Sequence, residues 1–223
     1  MITVIGNLKG GSGKSTVTFN LAVWLAHFKV RVVSFDLDPQ ATLSDVAEVR
    51  RDEGFRPDIA VHRAENDPGA IVQEPAKEVL ADVGASNLWA MRQAINMADR
   101  ILVPVTPSQA DIWSTQRFLN IIGQALKDDH RPDILTFINR ADTHISIRES
   151  DEAEEALASL PGVTVLKARL GQRTMFRRSF SEGLGVFELE PHGKAAFEFN
   201  RLATLLYPEY NRRRVAVSRR RRS

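Results

Sequence analysis

The sequence predicts an α/β protein, a single doubly wound domain whose mostly parallel central sheet is flanked by helices. Three observations carry this. Apolar runs of four to six residues alternate with segments of helical periodicity, the order expected of βαβ units. A glycine-rich stretch at 9–16 (KGGSGKST) falls between the first apolar run and the first helical segment. Acidic residues close apolar runs at Asp36 and Asp82, where a parallel sheet offers its carboxyl edge to ligands.

The elements follow in order. Ile2–Gly6 reads as the first strand, and Lys14–Phe28 as a helix with Val17, Leu21, Trp24, Leu25 and Phe28 on one face. Val30–Asp36 is the second strand. Ile59–His62 reads as a short strand, followed by the Asp67-Pro68-Gly69 turn and a weakly periodic helix. Glu78–Ala81 is a strand ending at Asp82, made less apolar by Lys77 and Glu78. Asn87–Ala98 is helical, and Arg100–Val105 is a central strand that stops before Pro107. Beyond it come a long helix at Asp111–Leu126, a strand at Ile134–Asn139, and an acidic-faced helix at Ile147–Ser159 closed by Pro161-Gly162. Val163–Leu166 is the last strand, with helices at Thr174–Glu182 and Gly193–Tyr207. No internal repeat or linker is visible, so residues 1–210 read as one domain and 211–223 as a basic, disordered tail.

Composition narrows the chemistry. There are no cysteines, which removes disulfides, thiolate zinc sites and cysteine-held iron–sulfur clusters and fits a reducing cytoplasm. No basic segment followed by an apolar stretch opens the chain, so no secretory leader is expected. No run reaches the roughly 18 apolar residues that span a bilayer. The formal charge of +2 conceals an asymmetry: seven of the 30 basic residues are arginines within 212–223, leaving 23 basic against 28 acidic residues elsewhere. A local basic patch remains at Lys167, Arg169, Arg173, Arg177 and Arg178.

The glycine-rich stretch is suited to phosphate. Gly10, Gly11 and Gly13 let the backbone turn tightly so that its N–H groups, with those at Ser12, converge on phosphate oxygens. The helix that follows adds its positive end. Lys14 can reach terminal phosphates, the Ser15 hydroxyl can ligate Mg²⁺, and Thr16 lies close enough to meet a phosphate nearer the ribose. The usual loop has glycine five positions before Gly13, where this chain has Leu8. Asp36 suits an outer-shell place around Mg²⁺, Asp38 suits orientation of an attacking water, and Asp82 reads as the acid ending a Walker B strand.

These residues resemble the ParA/MinD family of deviant Walker-A ATPases, especially its small partition ATPases. KGGSGKST at 9–16 and DLDPQ at 36–40 carry the resemblance, supported by ADVGAS at 81–86, VPVTPSQAD at 103–111 and FINR at 137–140. The resemblance implies a P-loop ATPase using ATP and Mg²⁺. It makes Lys9 the signature lysine that crosses a nucleotide-sandwich homodimer to the partner's phosphates, and Lys14 the lysine serving its own nucleotide. Ser15, Asp36 and Asp82 then stand on the magnesium side, Asp38 by the hydrolytic water and Asn139 near the adenine. Slow hydrolysis follows, since no strong base is visible.

The resemblance further implies nonspecific DNA binding by the ATP-state dimer. Arg169, Arg173, Arg177 and Arg178 are the candidates within the fold, and Arg212, Arg213 and Arg214 open the tail. A small adaptor or centromere-binding protein is the expected stimulating partner, with the cycle partitioning a plasmid or chromosome on the nucleoid. Membrane insertion is not expected, because the tail offers only Val215, Ala216 and Val217 between arginine blocks. Two alternatives stay open: the same cycle moving a protein cargo or transfer DNA, and a nucleotide-gated switch with negligible hydrolysis.

Overall fold

The computed structural model describes residues 1–127, 130–143 and 148–210. Its elements run β1 (Ile2–Gly6), α1 (Lys14–His27), β2 (Val32–Asp36), α2 (Thr42–Asp52), β3 (Ala60–Arg63) and α3 (Ala70–Gln73). They continue with β4 (Glu78–Val83), α4 (Leu88–Met97), β5 (Arg100–Val105), α5 (Gln109–Ala125) and β6 (Asp133–Ala141). The chain then forms α6 (Glu149–Ala158), β7 (Thr164–Gly171), α7 (Thr174–Ser181), α8 (Val186–Leu189) and α9 (Lys194–Leu206).

The seven strands form one sheet in the order β3-β2-β4-β1-β5-β6-β7, and every pairing is parallel. The chain enters at β1 in mid-sheet, with later strands laid down on both sides of it, so a ligand crevice opens at its carboxyl end. Both faces are covered, and the pleat sorts the strand residues between them. Ile5, Leu80 and Leu102 point toward α1 and α9, packing with Phe19, Leu25 and Phe199. Their neighbours Val4, Val79, Ala81, Ile101 and Val103 point toward α4, α5 and α6, with Met91, Phe118 and Leu157. Helix α1 is buried almost all round, from Val17 to Leu25, which is why it carries apolar residues beyond a single stripe.

Several elements depart from the sequence reading. Helices α2 and α8 were not anticipated, and β7 runs five residues past Leu166. In α2 the inward face is Leu43, Val46, Ala47 and Arg50, a helical spacing whose last member is charged. Arg50 is fully buried, donating to the Pro57 and Gly183 carbonyls and pairing with both oxygens of Glu188 on α8. In β7 the charged Lys167 and Arg169 interrupt the apolar pattern. The helix expected from Ile147 begins at Glu149, and Ile147 itself lies outside the described residues.

Burial alone raises the Glu188 carboxyl, but His27, Arg50 and the Gly185 N–H together hold it down at about 2. A depressed carboxyl contributes stability above its unfolded pKa, near 4.5, and that contribution is lost as pH falls through the native value. Arg50→Ala takes the guanidinium from Glu188, which keeps only His27 and the Gly185 N–H, and leaves the Pro57 and Gly183 carbonyls without that donor; it is expected to cost about 3 kcal/mol of unfolding free energy in a urea titration. The penalty should shrink as pH is lowered from 5 toward 2.

At the amino edge of the sheet, Tyr210 Oη donates to Glu78 at 2.7 Å and Arg100 donates to the Leu206 carbonyl at 2.9 Å. Among the described residues no helix is long and apolar enough to cross a membrane.

Candidate nucleotide site

The loop between β1 and α1 is strapped to the sheet by Asn7. Its amide donates to the Pro104 carbonyl at 2.9 Å on β5, while its Oδ1 accepts the Lys9 N–H at 3.1 Å. Gly13 closes the loop at φ 89, and a Cβ there would stand 2.3 Å from the Asn139 amide nitrogen. Only glycine meets both demands. Asn139, near the end of β6, donates from Nδ2 to the Ser12 carbonyl at 2.7 Å, so it braces the loop from the side away from β4.

The two lysines part company. Lys14 is buried, and its ammonium turns back to the Lys9 carbonyl at 3.4 Å, inside the curve of the loop. Lys9 keeps 47% of its side-chain surface and reaches outward along the rim, 3.9 Å from Asp111 on α5. Asp111 is buried and held by the Ser108 hydroxyl.

The three acids gather at neighbouring strand ends, with Asp36 on β2 opposite Asp82 on β4 in register. Asp36 accepts the Ser44 N–H and hydroxyl, both at 2.9 Å, and the Asp38 N–H at 3.2 Å. Burial raises its pKa, and the Ser44 bonds only partly oppose this. Asp38 is half-buried and accepts from the Ser86 hydroxyl and the Gln40 N–H. Asp82 is 1% exposed, and neither of its oxygens receives a well-aligned hydrogen bond. Burial pushes it up to about 7, although the Ser15 hydroxyl and Lys14 lie near enough to lower it. A buried carboxylate with both oxygens unused, beside the Ser15 hydroxyl, fits a divalent cation that takes its other donors from phosphates and water.

On the other side of Gly13 a cleft of about 350 Å³ runs past Thr16 and Asn139 to β7 and α7. Val17, Leu170, Phe176 and Phe180 give it apolar walls, and Arg173 and Arg177 stand at its mouth. Its size and mixed lining suit a nucleoside.

The basic patch is largely neutralised. Arg169 pairs with Glu154 and Asp151, Arg173 with Glu198, Arg178 with Glu182 and Lys167 with Glu154. Of the four arginines singled out within the fold, Arg177 alone has no carboxylate partner among the described residues, and it is exposed. Arg212, Arg213 and Arg214 lie outside the described residues. The sequence reading assigned no role to Asn7, Ser44, Gly84, Ser86 or the α7 aromatics. Most act through a partner distant in sequence or through shape, and Gly84 and Ser86 were quoted only as part of ADVGAS. Asp111 was quoted within its motif without a role.

Comparison with known proteins identifies the family and the fold. The sequence profile described as the CobQ/CobB/MinD/ParA nucleotide binding domain matches residues 3–186. Maintenance of carboxysome distribution protein A of Halothiobacillus neapolitanus is 27% identical over 209 residues, covering 92% of this chain and 95% of that protein. Protein ParA of Rhizobium radiobacter is also 27% identical, over 194 residues that cover 82% and 83% of the two chains. A plasmid partition protein of Borrelia burgdorferi B31, solved with AMPPNP, superposes with a TM-score of 0.73 at 15% identity, covering 93% of this chain and 98% of that one. The septum site-determining protein MinD of Pyrococcus horikoshii, complexed with Mg-ADP, gives 0.70 at 19% identity and covers 92% and 95%. With the profile spanning the loop, the acids and six of the seven strands in full, this chain belongs to the CobQ/CobB/MinD/ParA nucleotide-binding family, the ParA/MinD-type P-loop ATPases.

Proposed function

We propose that the protein hydrolyses ATP as a nucleotide-gated homodimer that holds nonspecific DNA and lets go of it after hydrolysis. The division between the lysines carries this reading. Lys14 is buried with its ammonium at the Lys9 carbonyl, whereas the Lys9 side chain stands half in solvent with its ammonium 3.9 Å from Asp111 on α5. A cation in that position can meet the phosphates of a second copy, and ATP supplies the negative charge that two approaching lysines require.

Placement supports the remaining roles. The backbone N–H groups from Gly10 to Thr16 and the Lys14 ammonium receive the phosphates. Ser15 and Asp82 would hold Mg²⁺, with Asp36 beside Asp82 in register. Mg²⁺, when bound, neutralises charge on the phosphate oxygens. Asp38 orients a water whose oxygen bonds to the γ-phosphorus as the bond to the β–γ bridging oxygen breaks, leaving ADP and phosphate. Thr16 and Asn139 face the nucleoside side. Without a stronger base the step is slow, and a partner with a short basic segment accelerates it. The cycle runs in the cytoplasm on the nucleoid.

DNA contact within the fold centres on Arg177. Arg169, Arg173 and Arg178 can join only by exchanging carboxylates for phosphates. The stretch 212–223 holds seven arginines and no acidic residue, the larger concentration of basic charge in the sequence. Removing 212–223 is expected to weaken DNA binding at least about tenfold at moderate salt and to flatten its salt dependence, as measured by fluorescence anisotropy. For cargo, a plasmid or chromosome locus suits the partition relatives. A protein body is the second reading, favoured by the full-length likeness to the carboxysome-distribution protein.

The decisive measurement is ATP turnover with and without DNA, paired with a DNA mobility assay in ATP, ADP and no nucleotide. Stimulated turnover and ATP-dependent DNA binding are expected. Equal DNA affinity in all three conditions would defeat the nucleotide-gated reading.

A further inference from the structure

We infer that Ser86 is a positioning residue for hydrolysis, fixing the direction of the Asp38 carboxylate and leaving one of its oxygens free for the attacking water. This rests on the assignment of Asp38 to that water.

Asp38 is held from three directions. Its Oδ1 accepts the Ser86 hydroxyl at 3.0 Å and the Gln40 N–H at 3.1 Å. Its carboxyl group lies across Gly84: a Cβ on that residue would stand 1.9 Å from Oδ2 and 2.3 Å from Cγ. Oδ2 accepts no hydrogen bond from the described residues, and the half-buried side chain leaves it within reach of water. One oxygen is therefore committed and the other is open.

The supports differ in what they connect. Gln40 belongs to the same turn as Asp38 and moves with it. Gly84 and Ser86 belong to the loop that leaves β4 just after Asp82. Through Ser86 the water-side acid is referred to the strand carrying the magnesium-side acid, across 48 positions of sequence. A carboxylate that can rotate about its side-chain torsions points at a given water only part of the time, and misdirection by a fraction of an ångström is costly. Ser86 is an exposed loop residue whose hydroxyl could bond to solvent. Its engagement with Asp38 and the absence of a side chain at Gly84 together define a cradle for one carboxylate orientation.

The test is steady-state ATP hydrolysis by the full chain with Mg²⁺, comparing Ser86→Ala, Ser86→Thr, Gly84→Ala and Asp38→Ala. Ser86→Ala is expected to lower kcat about tenfold at unchanged KM for ATP. Ser86→Thr, which keeps the hydroxyl, should recover most of the rate. Gly84→Ala should lose at least as much as Ser86→Ala. If Ser86→Ala turns over at the wild-type rate while Asp38→Ala is inactive, the role of Ser86 falls and that of Asp38 stands. An active Asp38→Ala overturns both. A Ser86→Thr as impaired as Ser86→Ala, or a loss expressed in KM alone, also overturns the positioning role.

Discussion

Replacing Asp38 by Ala is expected to lower ATP turnover at least about a hundredfold, while ATP binding is retained. The reason lies in the geometry of its free oxygen. Asp38 makes no bond to the loop of residues 9–16, and its partners are Ser86 and Gln40. Removing it should leave the phosphate cradle, Lys14 and the Ser15–Asp82 pair in place. The variant should therefore accumulate as an ATP-loaded dimer on DNA, with a dissociation rate that no longer follows hydrolysis. Single-turnover hydrolysis and DNA dissociation, measured on the same preparation, check both halves. A variant that hydrolyses normally would remove Asp38 from the chemistry. One that hydrolyses slowly yet leaves DNA at the normal rate would uncouple release from hydrolysis.

Lys9→Ala is expected to separate binding from assembly. Lys14 lies buried in the loop without any contact from the Lys9 side chain, since only the Lys9 carbonyl touches its ammonium. Nucleotide affinity of the monomer should therefore change less than about threefold. The dimer formed with a non-hydrolysed ATP analogue should weaken more than about a hundredfold, because two phosphate groups at the junction lose their cross-subunit cation and stay desolvated. Fluorescent-nucleotide titration reads the first quantity and light scattering against concentration the second. Equal loss of both would mean that Lys9 serves its own nucleotide.

Much of the site was legible because its demands are local. Gly13 needs a left-handed φ and no side chain, and Lys14 and Ser15 must follow it at once, so one short string carries the geometry. Most of the sheet was legible for the same reason: the central strands are apolar runs, and β4 was found despite Lys77 and Glu78, whereas β7 was cut short at its charged residues. What escaped depends on distant partners. Helix α2 was hidden because Arg50 occupies an apolar position of its inward face, satisfied by Glu188 some 138 positions later. The basic patch was legible as charge but not as pairing, since Arg169 meets Glu154 and Arg173 meets Glu198 across a fold that composition does not describe. Ser44 and Ser86 look like ordinary loop and helix-start serines until the carboxylates they hold are located.

Helix α2 has a mechanical consequence. Its first turn holds Asp36 through Ser44, and its last turn holds the Gly183 carbonyl, just beyond α7, through Arg50. Helix α7 is a wall of the nucleoside cleft. From Ser44 to Arg50 the helix rises roughly 9 Å at 1.5 Å per residue, a short stiff strut between the cleft wall that would face a base and the acid that would stand behind Mg²⁺. A shift of that wall would have to carry the strut with it or break the bond from Arg50 to Gly183, so the segment after α7 and the carboxylate of Asp36 are tied through one helix.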